Sequence, residues 1–255
     1  MAPAQQRLHR LLLPALRERG PVVDGGWIEL LGPGRTTAGG LGGALLQAPG
    51  AELAHQRLAR PLLRRAAKGP LGPGATEETR LLRALLGARP GDTVLDLGCG
   101  PGRLTRRLVA DVGPEGLVIG LDAAPSALRR AIRDTPRRRF PTVAYLRADA
   151  SALPLVDDSV DGIVCFAALD LLHDPEAALA EAARVLRPGG RIALLTSAAP
   201  PLPLAAPALR AGGRLGGVRV FGTAELATLL RERGFAAIRQ RRFGVVQLVG
   251  ARLAD

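Results

Sequence analysis

The stretch "VLDLGCGPG" contains the residue types in this sequence that are best suited to chemistry. Asp96 lies near the end of an apolar run, and three glycines follow at alternate positions: Gly98, Gly100 and Gly102. Glycines let the backbone approach a ligand where any side chain would collide, and a helix that starts after such a turn offers unpaired N–H groups to an anion. The turn therefore predicts a site for a nucleotide-like or carboxylate-bearing ligand. A dinucleotide fingerprint would place its third glycine at position 103, which is Arg103, so the spacing disfavours a nicotinamide cofactor.

Two further acids follow later apolar runs of the sequence. Asp122 comes directly after "LVIGL", and Asp149 comes after "TVAYLRA". The carboxyl ends of parallel strands meet at one edge of a sheet, so we expect these two acids and Asp96 to share a rim. A carboxylate there has two accepting oxygens and suits a pair of neighbouring hydroxyl groups. Asp122 and Asp149 can each be explained as turn residues, but the shared rim favours a joint role in ligand binding.

Short β-like runs alternate with helical patterns from about residue 75 onwards, which is typical of βαβ units. The β-like runs are "TVLDL", "LVIGLD", "TVAYLRAD", "SVDGIVCFAAL", "RIALLTS", "AAIRQRRF" and "VVQLVGA". Crossover helices imply parallel strands, whereas the last two runs are joined too tightly for a helix and must form an antiparallel hairpin. We therefore predict an α/β fold, with a doubly wound, Rossmann-like, seven-stranded sheet that ends in an antiparallel C-terminal hairpin.

The region before this alternation is rich in glycine and proline and lacks the same rhythm. We predict an N-terminal helical cap, or substrate-binding extension, over residues 1–75 and the main domain over residues 76–255. Residues 198–221 form an irregular insert within that domain and are expected to contribute specificity. Trp27 and His55 are candidates to line a pocket under the cap, although a tryptophan more often lies in a core.

The composition is that of a globular protein, because 47% of the 255 residues are hydrophobic and 23% are charged. The net charge of +12 comes from arginines spread along the whole chain, since Lys68 is the only lysine. This distribution favours a solvated basic surface over a face for nucleic acid, and an aromatic content of 3% leaves few stacking platforms. Two cysteines, Cys99 and Cys165, and no evident secretion signal or membrane span predict a cytoplasmic protein.

Several blocks together resemble the class I S-adenosylmethionine-dependent methyltransferases, in particular the type 11, UbiE-like group that acts on small molecules. They are "VLDLGCGPG", "VIGLDAAPSAL" and "RADASALPLVDDSVDGIVCFAALDLLHDPEAALAEAARVLRPGGRIAL", and the likeness extends over Glu77 to Asp255. A single glycine loop is a weak signal, whereas further blocks in the same order are a specific one. The resemblance implies S-adenosylmethionine as cofactor and a methyl transfer as activity.

The resemblance also implies roles for individual residues. The glycine loop would lie against the methionine part of the cofactor, and Asp96 would orient its ammonium group. Asp122 would accept hydrogen bonds from both ribose hydroxyls, while Asp149 and the Ala150 N–H would contact adenine. The implied cofactor-binding residues are Asp96, Gly98, Cys99, Gly100, Gly102, Asp122, Ala123, Asp149, Ala150 and Phe166. Both cysteines are interpreted as packing residues, since neither has a neighbouring base in the sequence.

His173, in "LDLLHDPEAAL", follows the fourth predicted strand and is the candidate catalytic residue. It lies where acceptor and methyl group should meet and can take a proton from a hydroxyl group near neutral pH. Asp170 is a second candidate base. The alternative is that His173 is a surface residue at the entrance of a helix beside Asp174, and the sequence does not decide between these interpretations. Relatives carry a histidine of this loop nearer to the strand end.

A motif that is missing from the sequence limits which kinds of atom can accept the methyl group. Methyltransferases that act on amino groups of nucleic acid bases or of protein glutamine carry Asn/Asp-Pro-Pro-aromatic after the fourth strand, where this chain has "FAAL". An oxygen or carbon atom therefore remains as the methyl acceptor. The first hypothesis is that this atom belongs to a small, hydrophobic molecule. The sequence does not indicate the oligomeric state.

Two alternative functions are kept. One is an RNA methyltransferase, supported by the positive charge and by the segments "VVDGGWIELLG" and "AHQRLARPLLRRAA", which resemble a bacterial and plastid subgroup with ribosomal members. In that subgroup similar sequence follows a zinc ribbon, whose cysteines are missing here, so no metal site is predicted. The other alternative is a non-catalytic module that binds S-adenosylmethionine; the intact loop and acids argue against it.

Overall fold

A computed structural model of the chain describes residues 3–18, 22–24, 26–31, 72–199, 209, 211–213, 217–222 and 224–255. The helices in this part of the chain are α1 Pro3–Leu11, α2 Pro14–Glu18, α3 Ala75–Leu86, α4 Arg103–Val112, α5 Pro125–Arg133, α6 Pro175–Val185 and α7 Glu225–Arg231. The strands are β1 Val22–Asp24, β2 Trp27–Glu29, β3 Thr93–Leu97, β4 Leu117–Asp122, β5 Val143–Arg147, β6 Val160–Phe166, β7 Leu186–Ser197, β8 Phe235–Phe243 and β9 Val246–Leu253.

The strands form one sheet in the order β1-β2-β5-β4-β3-β6-β7-β9-β8. Neighbours from β2 through β7 are parallel, and the β7–β9 and β9–β8 pairs are antiparallel. This confirms the predicted doubly wound sheet and its C-terminal hairpin. Strand order reverses at β3, with β4 on one side and β6 on the other, and ligands of such sheets bind at that switch point.

Helices cover both faces of the sheet, which explains why the central strands read as continuous apolar runs. In β3, Leu95 and Leu97 point to the face covered by α1, α6 and α7, whereas Val94 points to the face covered by α3 and α4. All five residues of β3 are buried. The strand that ends at the glycine turn is therefore held from both sides by the core.

The N-terminal region contributes strands as well as the predicted helices. In α1, Leu8 is fully buried in the core, and the following Leu12 bridges to Leu155. The pair β1–β2 is an antiparallel hairpin whose second strand runs parallel to β5, so the sheet gains two strands beyond the seven predicted. Strands of three residues are too short to show an alternating pattern, so they could not be predicted from periodicity.

Two features of the predicted domains can be compared with the structure. Trp27 lies in β2 and is 2% exposed, so it is a core residue; His55 lies outside the described residues. Most of the insert at 198–221 is also outside them, but both of its ends are described, and the Ala199 N–H donates to the Phe221 carbonyl at 2.7 Å.

Within the described residues, no helix combines the length and the apolar character that a membrane span requires.

Candidate functional site

The glycine turn joins β3 to α4 and is fixed against the neighbouring strand β4. The N–H groups of Gly98 and Cys99 both donate to the Leu121 carbonyl, each at 2.9 Å. All three glycines have positive φ, +72° at Gly98, +54° at Gly100 and +68° at Gly102, which other residues adopt only with strain. The turn is thus a fixed structure that requires glycine.

The three glycines differ in what lies in front of them. A Cβ atom at Gly98 would come within 2.3 Å of Ala168 Cβ, and one at Gly102 within 2.3 Å of the Tyr145 hydroxyl oxygen. A Cβ atom at Gly100 would meet no atom of another described residue, apart from its chain neighbours, within 4 Å. The outer glycines are therefore needed for close packing, whereas Gly100 exposes bare backbone to open space that a ligand can fill.

Asp96 lies at the base of this turn and is only 1% exposed. Its Oδ2 accepts a hydrogen bond of 2.6 Å from the Thr105 hydroxyl on α4. Burial raises the pKa of the Asp96 carboxyl to about 7; the bond from Thr105 opposes that shift and the nearby Asp122 charge adds to it. A cationic ligand group beside this carboxylate would favour its charged form.

Asp122 ends β4 and organises the backbone on both sides of it. Its Oδ2 accepts from the Gly100 N–H at 2.8 Å, and its Oδ1 accepts from the Ala124 N–H at 2.9 Å. A carboxylate offers about four acceptor positions, so these two bonds are compatible with further bonds to a ligand's hydroxyl groups. Asp122 therefore connects the glycine turn to the β4–α5 loop at the predicted rim.

Asp149 follows β5 on the same rim. Its Oδ1 accepts from the Ser151 N–H at 2.8 Å, which is the turn-stabilising bond of the plainer interpretation. The bond occupies one oxygen, so it does not conflict with a ligand contact at the other. Ala150, whose N–H is predicted to contact adenine beside Asp149, is 3% exposed.

The loop after β6 closes against the glycine turn. Phe166, at the end of β6, is half-buried, and the next residue, Ala167, has φ of +53°. Its N–H donates to the Leu195 carbonyl at 2.7 Å. A positive φ at a non-glycine residue is uncommon, and such positions concentrate at functional sites. The bend at Ala167 brings Ala168 up to Gly98.

The two candidate bases lie further along the same loop. Asp170 belongs to a single 3₁₀ turn, Leu169–Leu171, and its carbonyl accepts from the Arg219 N–H at 2.7 Å. His173 is exposed immediately before α6, where the Asp174 side chain caps the helix by accepting from the Ala177 N–H at 2.9 Å. No hydrogen bond or ion pair of the His173 side chain links it to the glycine turn within the described residues.

Neither cysteine has the surroundings of a nucleophile. Cys99 and Cys165 are buried and form no disulfide. Burial raises the pKa of the Cys165 thiol to about 12 and that of the Cys99 thiol well above its ordinary value. The two thiols are therefore packing groups. The described residues contain no cluster of His, Cys, Asp and Glu side chains that could hold a metal ion.

Two buried polar residues that no sequence pattern predicted, Thr105 and Tyr145, pack against the glycine turn and Asp96. Thr105 is fully buried, although its sequence context "RLTRRL" suggests an ordinary helix face. Tyr145 is 3% exposed, and its hydroxyl lies 2.9 Å from the Thr135 hydroxyl. The sequence offers one sign of these two residues: each is a polar side chain among the apolar residues of a buried helix face or strand.

The segment that contains this site is similar to known methyltransferases. The profile of a family described as a methyltransferase domain matches residues 95–194, which run from β3 into β7. A 2-phytyl-1,4-naphtoquinone methyltransferase of Thermosynechococcus vestitus is 43% identical over 107 residues, which cover 41% of this chain and 46% of that protein. An arsenite methyltransferase of Halobacterium salinarum is 33% identical over 112 residues, or 44% of this chain and 29% of that protein.

A solved structure shows the same fold. The crystal structure of the YcgJ protein of Bacillus subtilis has a TM-score of 0.61 and 20% sequence identity, covering 71% of this chain and 99% of that one. The matches to the two curated relatives span less than half of each relative's length. Those two relatives have different acceptors in their names, so the similarity to them leaves the acceptor open.

Proposed function

We propose that this chain, which carries a class I S-adenosylmethionine-dependent methyltransferase domain at residues 95–194, transfers a methyl group to an oxygen or carbon of a small, hydrophobic acceptor. The observation that supports this most directly is the open space in front of Gly100, whose N–H donates to Asp122, with Asp96 on the strand that leads into the turn. A bare main chain with carboxylates on either side suits an adenosyl group that carries an ammonium and a pair of hydroxyls.

The residues at the rim fit S-adenosylmethionine, which when bound supplies an electrophilic methyl group on a sulfonium. In our proposal Asp96 holds the ammonium, the glycine turn lies along the methionine part, Asp122 accepts from the ribose hydroxyls, and Asp149 accepts from the adenine amine. Cys99, Ala123, Ala150 and Phe166 complete the walls. The chain's contribution to catalysis is then position, and alignment can lower a barrier by about 7 to 11 kcal/mol.

Binding is tested by calorimetry with S-adenosylmethionine and S-adenosylhomocysteine. Micromolar or tighter binding of both is expected, followed by methylation of members of a panel of quinols and phenols, detected by mass spectrometry. Failure of the unaltered protein to bind either compound would overturn the proposal. Binding without transfer to any acceptor would favour the non-catalytic module, and transfer to RNA with steep salt dependence would favour the RNA methyltransferase.

The pH dependence of binding follows from Asp96. Its pKa is raised to about 7, so below pH 7 the free protein holds a proton there that a cationic ligand group must expel. The affinity for S-adenosylhomocysteine should therefore rise by up to about tenfold per pH unit below pH 7 and level off above it. In Asp96→Asn the affinity for S-adenosylhomocysteine should be low. It should not depend on pH between about 5.5 and 8, the interval in which the Asp96 carboxyl titrates. Equal pH profiles of the two proteins in calorimetry would contradict the assignment.

The acceptor wall is assigned to the insert at 198–221 and to the N-terminal segment. The insert leaves the sheet at the carboxyl end of β7, and its returning end is tied to the loop after β6 by the bond between the Arg219 N–H and the Asp170 carbonyl. The Ser197 hydroxyl also donates to the Arg219 carbonyl at 2.7 Å. These two bonds support our proposal that the insert borders the acceptor. A quinone-like acceptor is consistent with the named relative from Thermosynechococcus vestitus.

His173 is proposed as the base for a hydroxyl acceptor, because it is exposed on the loop that follows β6. We expect His173→Ala to lower kcat by about 100-fold while leaving the affinity for S-adenosylhomocysteine unchanged. The matched control is Asp174→Asn, which keeps a capping side chain at the adjacent position and should retain full turnover. Full turnover of His173→Ala on the true acceptor would remove the residue from the reaction.

We also propose a cytoplasmic location. Cys99 and Cys165 are free thiols, and free thiols persist in reducing compartments.

A further inference from the structure

We propose that Glu29 and Arg147 are positioning residues through which the N-terminal hairpin β1–β2 sets the adenosine-binding loop after β4. This inference deepens the proposed function and rests on it, since it concerns the same cofactor site. Nothing in the sequence patterns pointed to either residue, because they are separated by more than a hundred positions in the chain.

Arg147, the last residue of β5, has a side chain that is 4% exposed. Its guanidinium donates in two directions. Nε donates to the Ala123 carbonyl at 2.9 Å, and Nη1 donates to both carboxylate oxygens of Glu29, each at 3.0 Å. One buried cation thus joins the hairpin to the residue that follows Asp122.

The Glu29 carboxylate accepts two hydrogen bonds besides those from Arg147. The Trp27 Nε1–H donates to Oε2 at 3.1 Å and the Leu31 N–H donates to Oε1 at 2.9 Å. Burial raises the pKa of Glu29, but the bonds from Trp27, Arg147 and Leu31 outweigh it, so the net pKa is lowered and the carboxylate is charged. The backbone of Leu30 adds a bond to the Arg147 carbonyl at 3.1 Å.

The position of Arg147 in the sheet explains why it would affect the cofactor. Arg147 is the register partner of Asp122 across the β4–β5 pair, and Asp149 lies two residues further along the chain. The Ala123 carbonyl held by Arg147 belongs to the same peptide group as the Ala124 N–H, which donates to Asp122 Oδ1. A shift of the guanidinium would therefore displace both the Ala123 backbone and the carboxylate proposed to bind ribose.

The hairpin also reaches the glycine turn. Trp27 packs in one buried cluster with Cys99 of the turn, Tyr145 of β5 and Leu128 of α5. The same tryptophan donates to Glu29, so a single side chain belongs to the cluster that includes Cys99 and also stabilises the ion pair. The hairpin therefore supports both cofactor loops, the turn by packing and the β4 loop through Arg147.

Arginine and lysine are not equivalent at this position. A guanidinium presents several donors in a fixed fork, whereas a lysine ammonium is a point charge on a flexible stem. Arg147→Lys keeps the charge opposite Glu29, but one ammonium cannot reproduce the contacts with both Glu29 and the Ala123 carbonyl. This variant separates the ion pair from the positioning contact.

The experiment compares Arg147→Lys and Glu29→Gln with Asp111→Asn. The control breaks the bidentate pair between Arg83 and Asp111, which joins α3 to α4 and does not touch the β4 loop. For each protein we would measure the melting temperature, hydrogen exchange of residues 121–125 without ligand, and the Kd for S-adenosylhomocysteine. We expect Arg147→Lys to bind about tenfold more weakly and to exchange faster over 121–125, and Glu29→Gln to change both in the same direction, whereas Asp111→Asn changes only the melting temperature.

The inference is overturned if Arg147→Lys keeps both the unaltered Kd and the unaltered exchange of residues 121–125. It is equally overturned if Asp111→Asn weakens binding and speeds exchange as much, because that would indicate general destabilisation. If the unaltered protein does not bind S-adenosylhomocysteine, the proposed function fails. In that case the exchange measurement alone decides whether Arg147 holds the β4 loop.

Discussion

Asp122→Asn is expected to weaken the binding of S-adenosylhomocysteine by about 100-fold or more. The substitution removes the charge and one accepting oxygen, and hydrogen bonds to a charged group contribute about 1.5 to 3 kcal/mol each. The new amide N–H₂ group would also face the N–H of either Gly100 or Ala124, which now donate to the two carboxylate oxygens. Calorimetry gives the change in Kd directly.

The matched control for this variant is Asp134→Asn. Asp134 lies at the other end of α5, where it pairs with Arg130 and Arg133 at 4.0 and 3.4 Å on the surface. Exposed pairs of this kind contribute little, so the control should bind normally. An Asp122→Asn protein that binds as tightly as the control would refute the ribose role.

Gly100→Val is expected to abolish measurable cofactor binding while the protein remains folded. The new methyl groups would enter the open space in front of the turn, where we place the ligand, and nothing in the described part of the chain lies within 4 Å of the added Cβ. A β-branched residue at φ of +54° also costs on the order of 1 to 2 kcal/mol in strain. Binding is measured by calorimetry and stability by the melting temperature.

Gly91→Val controls for that strain. Gly91 also has a positive φ, +94°, and a Cβ there would also meet nothing within 4 Å of the described atoms, but it lies at the opposite end of β3. Both variants should lose stability, and only Gly100→Val should lose binding. Binding by both variants would refute the position of the ligand against Gly100, and loss of binding in both would attribute the effect of Gly100→Val to strain.

The strand-end acids show how far sequence reasoning reached. Asp96, Asp122 and Asp149 each follow an apolar run, and a parallel sheet brings the ends of such runs to one edge whatever the side-chain details are. The structure puts all three at the ends of β3, β4 and β5, as predicted. It adds the turn-stabilising bond of Asp149 to Ser151, which the sequence had offered only as an alternative to a ligand role.

The supporting residues could not be found in the same way. Thr105 reaches Asp96 from α4, and Tyr145 packs under Gly102 from β5, yet neither contact follows from local periodicity. Periodicity tells which face of an element a residue occupies, but it does not tell which residue of another element lies opposite. The close approach of Ala168 to Gly98 likewise depends on the bend at Ala167, a non-glycine residue with positive φ.

The sequence by itself determined the alternation of strands and helices, the antiparallel hairpin at the end and the glycine turn, because each depends on residues close together in the chain. Only the tertiary structure decided that β1–β2 joins the sheet beside β5 and that Glu29 pairs with Arg147, 118 positions away. The physical reason is that three-residue strands carry no periodic signal of their own. A buried ion pair between distant residues becomes favourable only after the packed sheet has brought both charges together and removed them from water.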